Sequence, residues 1–362
     1  MNNSHNLDVL RALAVTAVFL AHATHTAAGP SHPYYDVVEA IARFGVIIFF
    51  VHTSLVLMLS MRRTQKEPAF VRRFYVRRAF RIYPLAAAAV LTTYVLRLPS
   101  NAWSGLVYHP IYFVQLFSNL LLIQNLTRQA SVLSVLWSLP LEIQMYVVLP
   151  FLFLIVRGPR WRFRLMLCAV VAVLAAALVW QTAGRLNILA FVPCFLAGVL
   201  AFKCADRQRT WPPWLWPTLI LGVVFGLAFL PAYRKHFLHP VSIVLEWVAA
   251  GVLGLFWPMF REISWAPATR IAGFVAKYSY GIYLAHTFAL YLAFVIIRTR
   301  AYLGLLLATS ITIMVAVALY HLIEEPLIRL GKDLAAKIGS ATLDNSETPA
   351  GVRVDAPSEA QS

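Results

Sequence analysis

Apolar residues in this chain run in blocks of about 17–25, the length that crosses the hydrocarbon layer of a bilayer. No other feature restricts its folding so severely. Inside hydrocarbon the backbone must satisfy its own hydrogen bonds, so each block has to be a helix unless strands close into a barrel. The blocks predict spans near 7–27, 41–61, 82–97, 133–156, 164–182, 187–203, 214–231, 241–260, 276–297 and 302–323. The expected fold is an all-α, polytopic membrane protein, a bundle of about ten transmembrane helices. Composition agrees: 60% of the 362 residues are hydrophobic and only 13% are charged, too few charges to cover a surface in water. The stretch 105–126 is ambiguous. It carries His109, Pro110, Gln115, Asn119, Gln124 and Asn125, and suits an interfacial or re-entrant segment better than a span.

The formal net charge of +16 would suggest nucleic acid in a soluble protein. Here the cations sit in short loops between apolar blocks, where they set topology, so no nucleic-acid partner is expected. With the N-terminus inside, the inner loops and C-terminal tail hold 21 Lys and Arg and the outer loops 7. That bias predicts a multi-pass protein of the plasma (inner) membrane with both termini cytoplasmic. Eight of the inner cations lie in the loop 62–81, a stretch suited to anionic lipid or to a polyphosphorylated ligand. Residues 1–335 form one transmembrane domain, and 336–362, rich in Ser, Ala, Thr, Pro and Asp, read as a disordered cytoplasmic tail. No cleavable signal peptide is expected. Cys168, Cys194 and Cys204 lack ligand spacing and read as small buried hydrophobes, so no metal site is expected.

Ionisable residues within spans are costly and usually face the bundle interior. Arg11, His22, Glu142, Glu246 and His286 stand out, with His25 and His52 nearby. Arg11 and His22 are eleven positions apart, three helical turns, so they share a face and lie about 16 Å apart along the axis. A snorkelling arginine with a hydrogen-bonded histidine would satisfy that spacing as well as a functional pair would. Pro140 precedes Glu142 and suggests a kink near the carboxylate. A histidine base oriented by Glu142 would use both buried groups. His286 is a further imidazole at depth, with Tyr280 and Tyr283 alongside. Glu246 reads as the structural partner of an arginine or a helix terminus.

Six segments, in order, resemble the acyltransferase 3 family of membrane O-acyltransferases. LDVLRALAVTAVFLAH resembles its opening Arg-x10-His motif, with Arg11 and His22 in place. VRRAFRIYPL resembles its RxxR-Ile-x-Pro signature through Arg78 and Arg81. LWSLPLEIQMYVVLP resembles its Trp-Ser-Leu-x-x-Glu-x-Gln-x-Tyr stretch, with Trp137, Ser138, Glu142, Gln144 and Tyr146 in place. FLAGVLAF, YSYGIYLAHT and LIEEPLIRL are similar to its later helices. One element departs: where the family's second helix ends in Phe-Phe-Val-x-Ser-Gly-Phe/Tyr, this chain has His52-Thr53-Ser54-Leu55 after Phe49-Phe50-Val51.

The resemblance implies transfer of an acyl group, typically acetyl, from a cytoplasmic acyl-CoA to a hydroxyl of a carbohydrate or lipid-linked glycan at the outer face. No permanently bound cofactor is implied; acyl-CoA is a substrate. Arg78 and Arg81 would hold the CoA phosphates with Arg11 assisting, since guanidinium forks match phosphate. His22 would be the general base, Glu142 would orient its imidazole, and His286 and Tyr283 would line the substrate site. A proton-coupled transporter is the alternative, but it predicts two related halves with paired broken helices, and no such repeat is visible. A non-catalytic membrane partner is suggested only by the altered second helix.

Overall fold

The computed structural model describes residues 4–29, 31–99, 109–182, 185–206, 209–231 and 239–347. The molecule is all-α, about 80% helical, with no strand among the described residues. Its helices are α1 (His5–Ala28), α2 (Tyr35–Thr64), α3 (Phe70–Val95), α4 (Phe113–Leu120), α5 (Leu139–Ile155), α6 (Trp161–Ala176), α7 (Leu178–Gln181), α8 (Ile188–Cys204), α9 (Leu215–Phe229), α10 (Pro240–Phe256), α11 (Ala266–Leu290), α12 (Ala301–Leu319) and α13 (Glu325–Glu347). Every segment expected to span falls on a helix. Six helical stretches are long and apolar enough to cross a membrane: His5–Ala28, Tyr35–Thr64, Ser134–Ile155, Pro240–Met259, Ala266–Ile296 and Ala301–Gly339. Ile188–Cys204 and Leu215–Phe229 are apolar but shorter. α3 opens on an arginine-rich stretch and α6 has only 16 residues, so length and hydropathy do not by themselves carry the count to ten.

α2 is the axis of the bundle, and 83% of its apolar window is buried. α1, α5, α8, α9 and α10 pack around it, while α11 lies against α1 and α12. Large apolar side chains such as Phe113, Phe151, Leu174, Leu306 and Met314 point outward. In water that surface would drive aggregation; against lipid tails it is the matching solvent.

The altered end of the second helix has a packing explanation. A glycine there would permit close backbone approach. Ser54 is fully buried against α8, where the residue opposite is Gly198. A β-carbon at 198 would overlap the Val51 carbonyl oxygen and lie 2.6 Å from the Ser54 β-carbon. The helices meet closely because the missing side chain is on α8 instead of α2. Glu246 bears out its structural reading: on α10, it faces Arg43 of α2 at 2.8 Å, with both side chains buried.

Two expectations are corrected. Pro140 does not kink a continuous helix. A 3-10 turn, Ser134–Ser138, leads into α5, and Pro140 occupies its first turn, where a missing N–H costs nothing. The segment beyond residue 335 is helical as far as Glu347, because the amphipathic α13 packs along the arginine-rich part of α3, with Ala335 fully buried and Gly331 against Phe80. Residues 348–362 of that expected tail lie outside the described residues. Within 105–126, the first residues also lie outside them. The rest forms only α4, eight residues or about 12 Å long, too short to cross, followed by turns.

Candidate active site

Buried polar groups gather at two levels of the bundle, joined by a narrow passage. The first level is built by α1, α2, α3 and α5. Arg11, Arg78, Arg81, Glu142, Tyr146 and His52 line one cavity of about 50 Å³. Spacing explains how the sequence delivers them. Arg78 and Arg81 are three apart on α3 and share a face, and Glu142 and Tyr146 are four apart on α5. The Tyr146 hydroxyl donates a short hydrogen bond to the Glu142 carboxylate. Arg11, Arg81 and Arg78 all interact electrostatically with that carboxylate. Glu324, in the π-helical turn after α12, is 2% exposed and faces Arg81 at 3.3 Å.

This cluster is incomplete as it stands. Three arginines face two carboxylates, leaving one positive charge in excess. Arg11 Nε, Arg78 Nε and His52 Nδ1 are buried and have no hydrogen-bond partner among the described residues. A buried nitrogen without a partner costs about 1–3 kcal/mol, and more when charged. The arrangement suits an anionic ligand that accepts hydrogen bonds.

The second level lies farther along α1 and α11. The His22 and His286 rings stack with centroids 5.1 Å apart, and His22 Nδ1 is 2.8 Å from His286 Nε2. His286 Nδ1 is 3.1 Å from the Ile282 carbonyl oxygen. A carbonyl can only accept, so with both rings neutral the protons are assigned in sequence. His286 donates from Nδ1 to Ile282, accepts at Nε2 from His22 Nδ1, and leaves the His22 lone pair on Nε2. That tautomer is the one a general base needs. Ser138 Oγ and the Tyr283 hydroxyl are 2.9 Å apart, and the Tyr283 ring lies 6.1 Å from that of His286.

A largely apolar cavity of about 40 Å³ connects the levels. It shares Arg11, Phe49 and Tyr280 with the arginine cavity and reaches Ser138 and Tyr283 at its other end. On α1 the cavity runs from Arg11 past Ala14 and Val15 to Val18, one turn short of His22.

All seven residues singled out from the sequence as site candidates belong to these two levels. Arg11, Arg78, Arg81 and Glu142 form the first; His22, Tyr283 and His286 form the second. The expected pairing is corrected. The structure gives His22 a histidine, His286, as its orienting partner, and joins Glu142 to Tyr146 at the arginine level. His52, Tyr146 and Glu324 were not singled out as site residues. The i, i+4 spacing of Tyr146 from Glu142 was the signal for one of them. His25, which shares the His22 face, belongs to a separate cluster with His32 at 3.1 Å and Glu39 at 3.3 Å.

A family model described as an acyltransferase domain matches residues 4–321, nearly the whole helical bundle. The chain belongs to the acyltransferase 3 family. The matched region takes in both levels of this acyltransferase's site, apart from Glu324. With its apolar helices, that makes the protein a membrane acyltransferase. No curated protein and no solved structure gave a match in the corresponding comparisons.

Proposed function

We propose that this protein is an O-acyltransferase that moves an acyl group, acetyl in the simplest case, from a cytoplasmic acyl-CoA to a hydroxyl of a carbohydrate or lipid-linked glycan at the outer side of the plasma (inner) membrane. The observation that carries the reading is the buried arginine cluster, with one unneutralised charge, from which a narrow apolar passage leads to Tyr283, whose ring neighbours the His22–His286 pair. The positive-inside bias supports the arginine level as the cytoplasmic one, with both termini on that side and ten spans in all.

In this reading Arg78, Arg81 and Arg11 hold the phosphates of acyl-CoA, and Glu142 and Glu324 fix the guanidinium groups in place. The thin pantetheine arm runs along the passage and brings the thioester to His22. His22 Nε2 takes the proton of the acceptor hydroxyl as its oxygen attacks the thioester carbonyl. A C–O ester bond forms and the C–S bond breaks. The proton passes from His22 to the thiolate sulfur, and CoA leaves as the free thiol. His286 stabilises the transient imidazolium by holding the ring. In this reading the Ser138 hydroxyl turns to the tetrahedral oxygen, while Tyr283, which donates to the Val135 carbonyl, holds that wall of the passage.

The test is incorporation of label from acetyl-CoA into cell-envelope glycan. Labelling by the wild type and its loss in His22→Ala and Arg78→Ala, at normal expression, are the expected results. Unchanged labelling in both variants contradicts the reading.

A further inference from the structure

A second, wider cleft that no step above uses has Trp137 on its wall, the residue before Ser138 on the wall of the passage. It has a volume of about 380 Å³, against about 40 Å³ for the apolar passage. The passage admits a thin chain; the cleft has room for a ring. Gln124, Asn125, Arg128, Ser131, Trp137 and Asn187 are among the residues that line it. They come from the turns after α4, the 3-10 turn before α5, and the residue that caps α8. Among the described residues no acidic side chain lines it.

The cleft is built, not merely open. Asn125 donates to Asn187 Oδ1 at 3.0 Å and accepts from Gln144 Nε2 at 3.0 Å, which ties the turn to α5 and α8. Gln124 is 2% exposed, and its amide nitrogen donates to the Leu136 carbonyl at 3.1 Å. That bond fixes the orientation of the amide, yet Oε1 is buried with no hydrogen-bond partner among the described residues. Arg128 sits in the left-handed region with φ +57°, a conformation a bulky residue rarely adopts without constraint. Trp137 is partly buried on the cleft wall, and the next residue, Ser138, lies on the wall of the passage.

We propose that this cleft binds the acceptor, as a sugar unit whose hydroxyls meet the amides while one apolar ring face lies on Trp137. The proposal rests on the acyltransferase reading above. Its chemistry is that of a neutral polyhydroxyl ligand. Amides supply paired donors and acceptors, an indole supplies an apolar platform, and Gln124 Oε1 is an acceptor awaiting a hydroxyl. The lack of carboxylates leaves acidic sugars acceptable and cationic ligands unmatched. In this proposal donor and acceptor approach from different sides, the thin arm along the passage walled by Ser138 and the ring in the cleft walled by Trp137.

The experiment uses the full chain in detergent or nanodiscs, with labelled acetyl-CoA as donor and methyl glycosides of hexoses, deoxyhexoses and N-acetylhexosamines as probes. Acetyl-CoA affinity is measured separately by titration. Gln124→Ala and Asn187→Ala should raise KM for the best glycoside about tenfold and leave acetyl-CoA affinity at the wild-type value. Ser131→Trp, which fills the cleft from a partly buried position without touching the amide network, should do the same if either alanine variant fails to fold. Wild-type KM in well-folded variants overturns the proposal. So does a parallel loss of acetyl-CoA affinity, which would mark the cleft as structural. If the wild type acylates no hydroxyl acceptor at all, the acyltransfer reading itself fails, an outcome distinct from either.

Discussion

Two buried charged sites sit in this bundle, and they are built differently. Arg43 and Glu246 face each other at 2.8 Å between α2 and α10, one cation to one anion, both sealed from solvent. The arginine level sets Arg11, Arg78 and Arg81 against Glu142 and Glu324, and leaves two guanidinium nitrogens and one imidazole nitrogen without partners. Both sites place charge where a bilayer penalises it. The first neutralises the charge internally, so its role is to join two helices. The second keeps an excess of one positive charge among the described residues. What separates the two sites is charge balance, one to one in the first and three to two in the second.

Substitutions can break this contrast. The largest effect belongs to His22→Ala. Removing a general base should lower turnover by about 10²–10⁴-fold in a labelled acyl-transfer assay, far more than the modest loss of stability from leaving His286 Nε2 without its partner. Glu246→Ala should act the opposite way. Leaving Arg43 buried and uncompensated should cost about 3–5 kcal/mol in a denaturation experiment, while protein that remains folded keeps its turnover. The double variant Arg43→Met/Glu246→Met should recover most of that stability, because a well-packed apolar pair replaces the ions. Gly198→Ala forces α8 away from the Val51 carbonyl and Ser54, and should cost about 1–3 kcal/mol by overpacking.

The smallest effect concerns Glu262, outside the spans. Burial pushes its carboxyl up, but the Asn6 backbone N–H, the Ser4 hydroxyl and the Arg209 guanidinium outweigh that and hold it below the usual carboxylate range. With the folded value below the unfolded one, these contacts stabilise the protein above the ordinary carboxylate range and are lost as pH falls through the lowered value. Melting curves recorded at decreasing pH should show that loss in the wild type and a smaller one in Glu262→Gln.

Much of the fold was legible because the bilayer allows so few solutions. Apolar block length located every long helix before α13, and the Arg11–His22 spacing put both residues on one face. The site was legible as a set of residues but not as pairs. His22 and His286 are 264 positions apart, and nothing local tells which of two buried groups an imidazole will meet. Glu142 could have met the imidazole on depth alone, yet three arginines surround it. Gln124 and Asn125 were visible as polar residues that prevent a span, but their place in a cleft depends on Gln144 and Asn187 from two other helices. The helical course of residues 336–347 was hidden because α13 depends on its packing against α3 and not on its own composition.

The central claim is that donor binding and chemistry occupy separate levels of the bundle. Thermal stabilisation of the purified protein by acetyl-CoA tests it most directly. A ligand at 100 times its Kd should stabilise the folded state by about 2.7 kcal/mol. His22→Ala should show the same stabilisation as wild type while transferring no acyl group, and Arg78→Ala should show little or none. Full stabilisation of Arg78→Ala, or its loss in His22→Ala, would contradict the account.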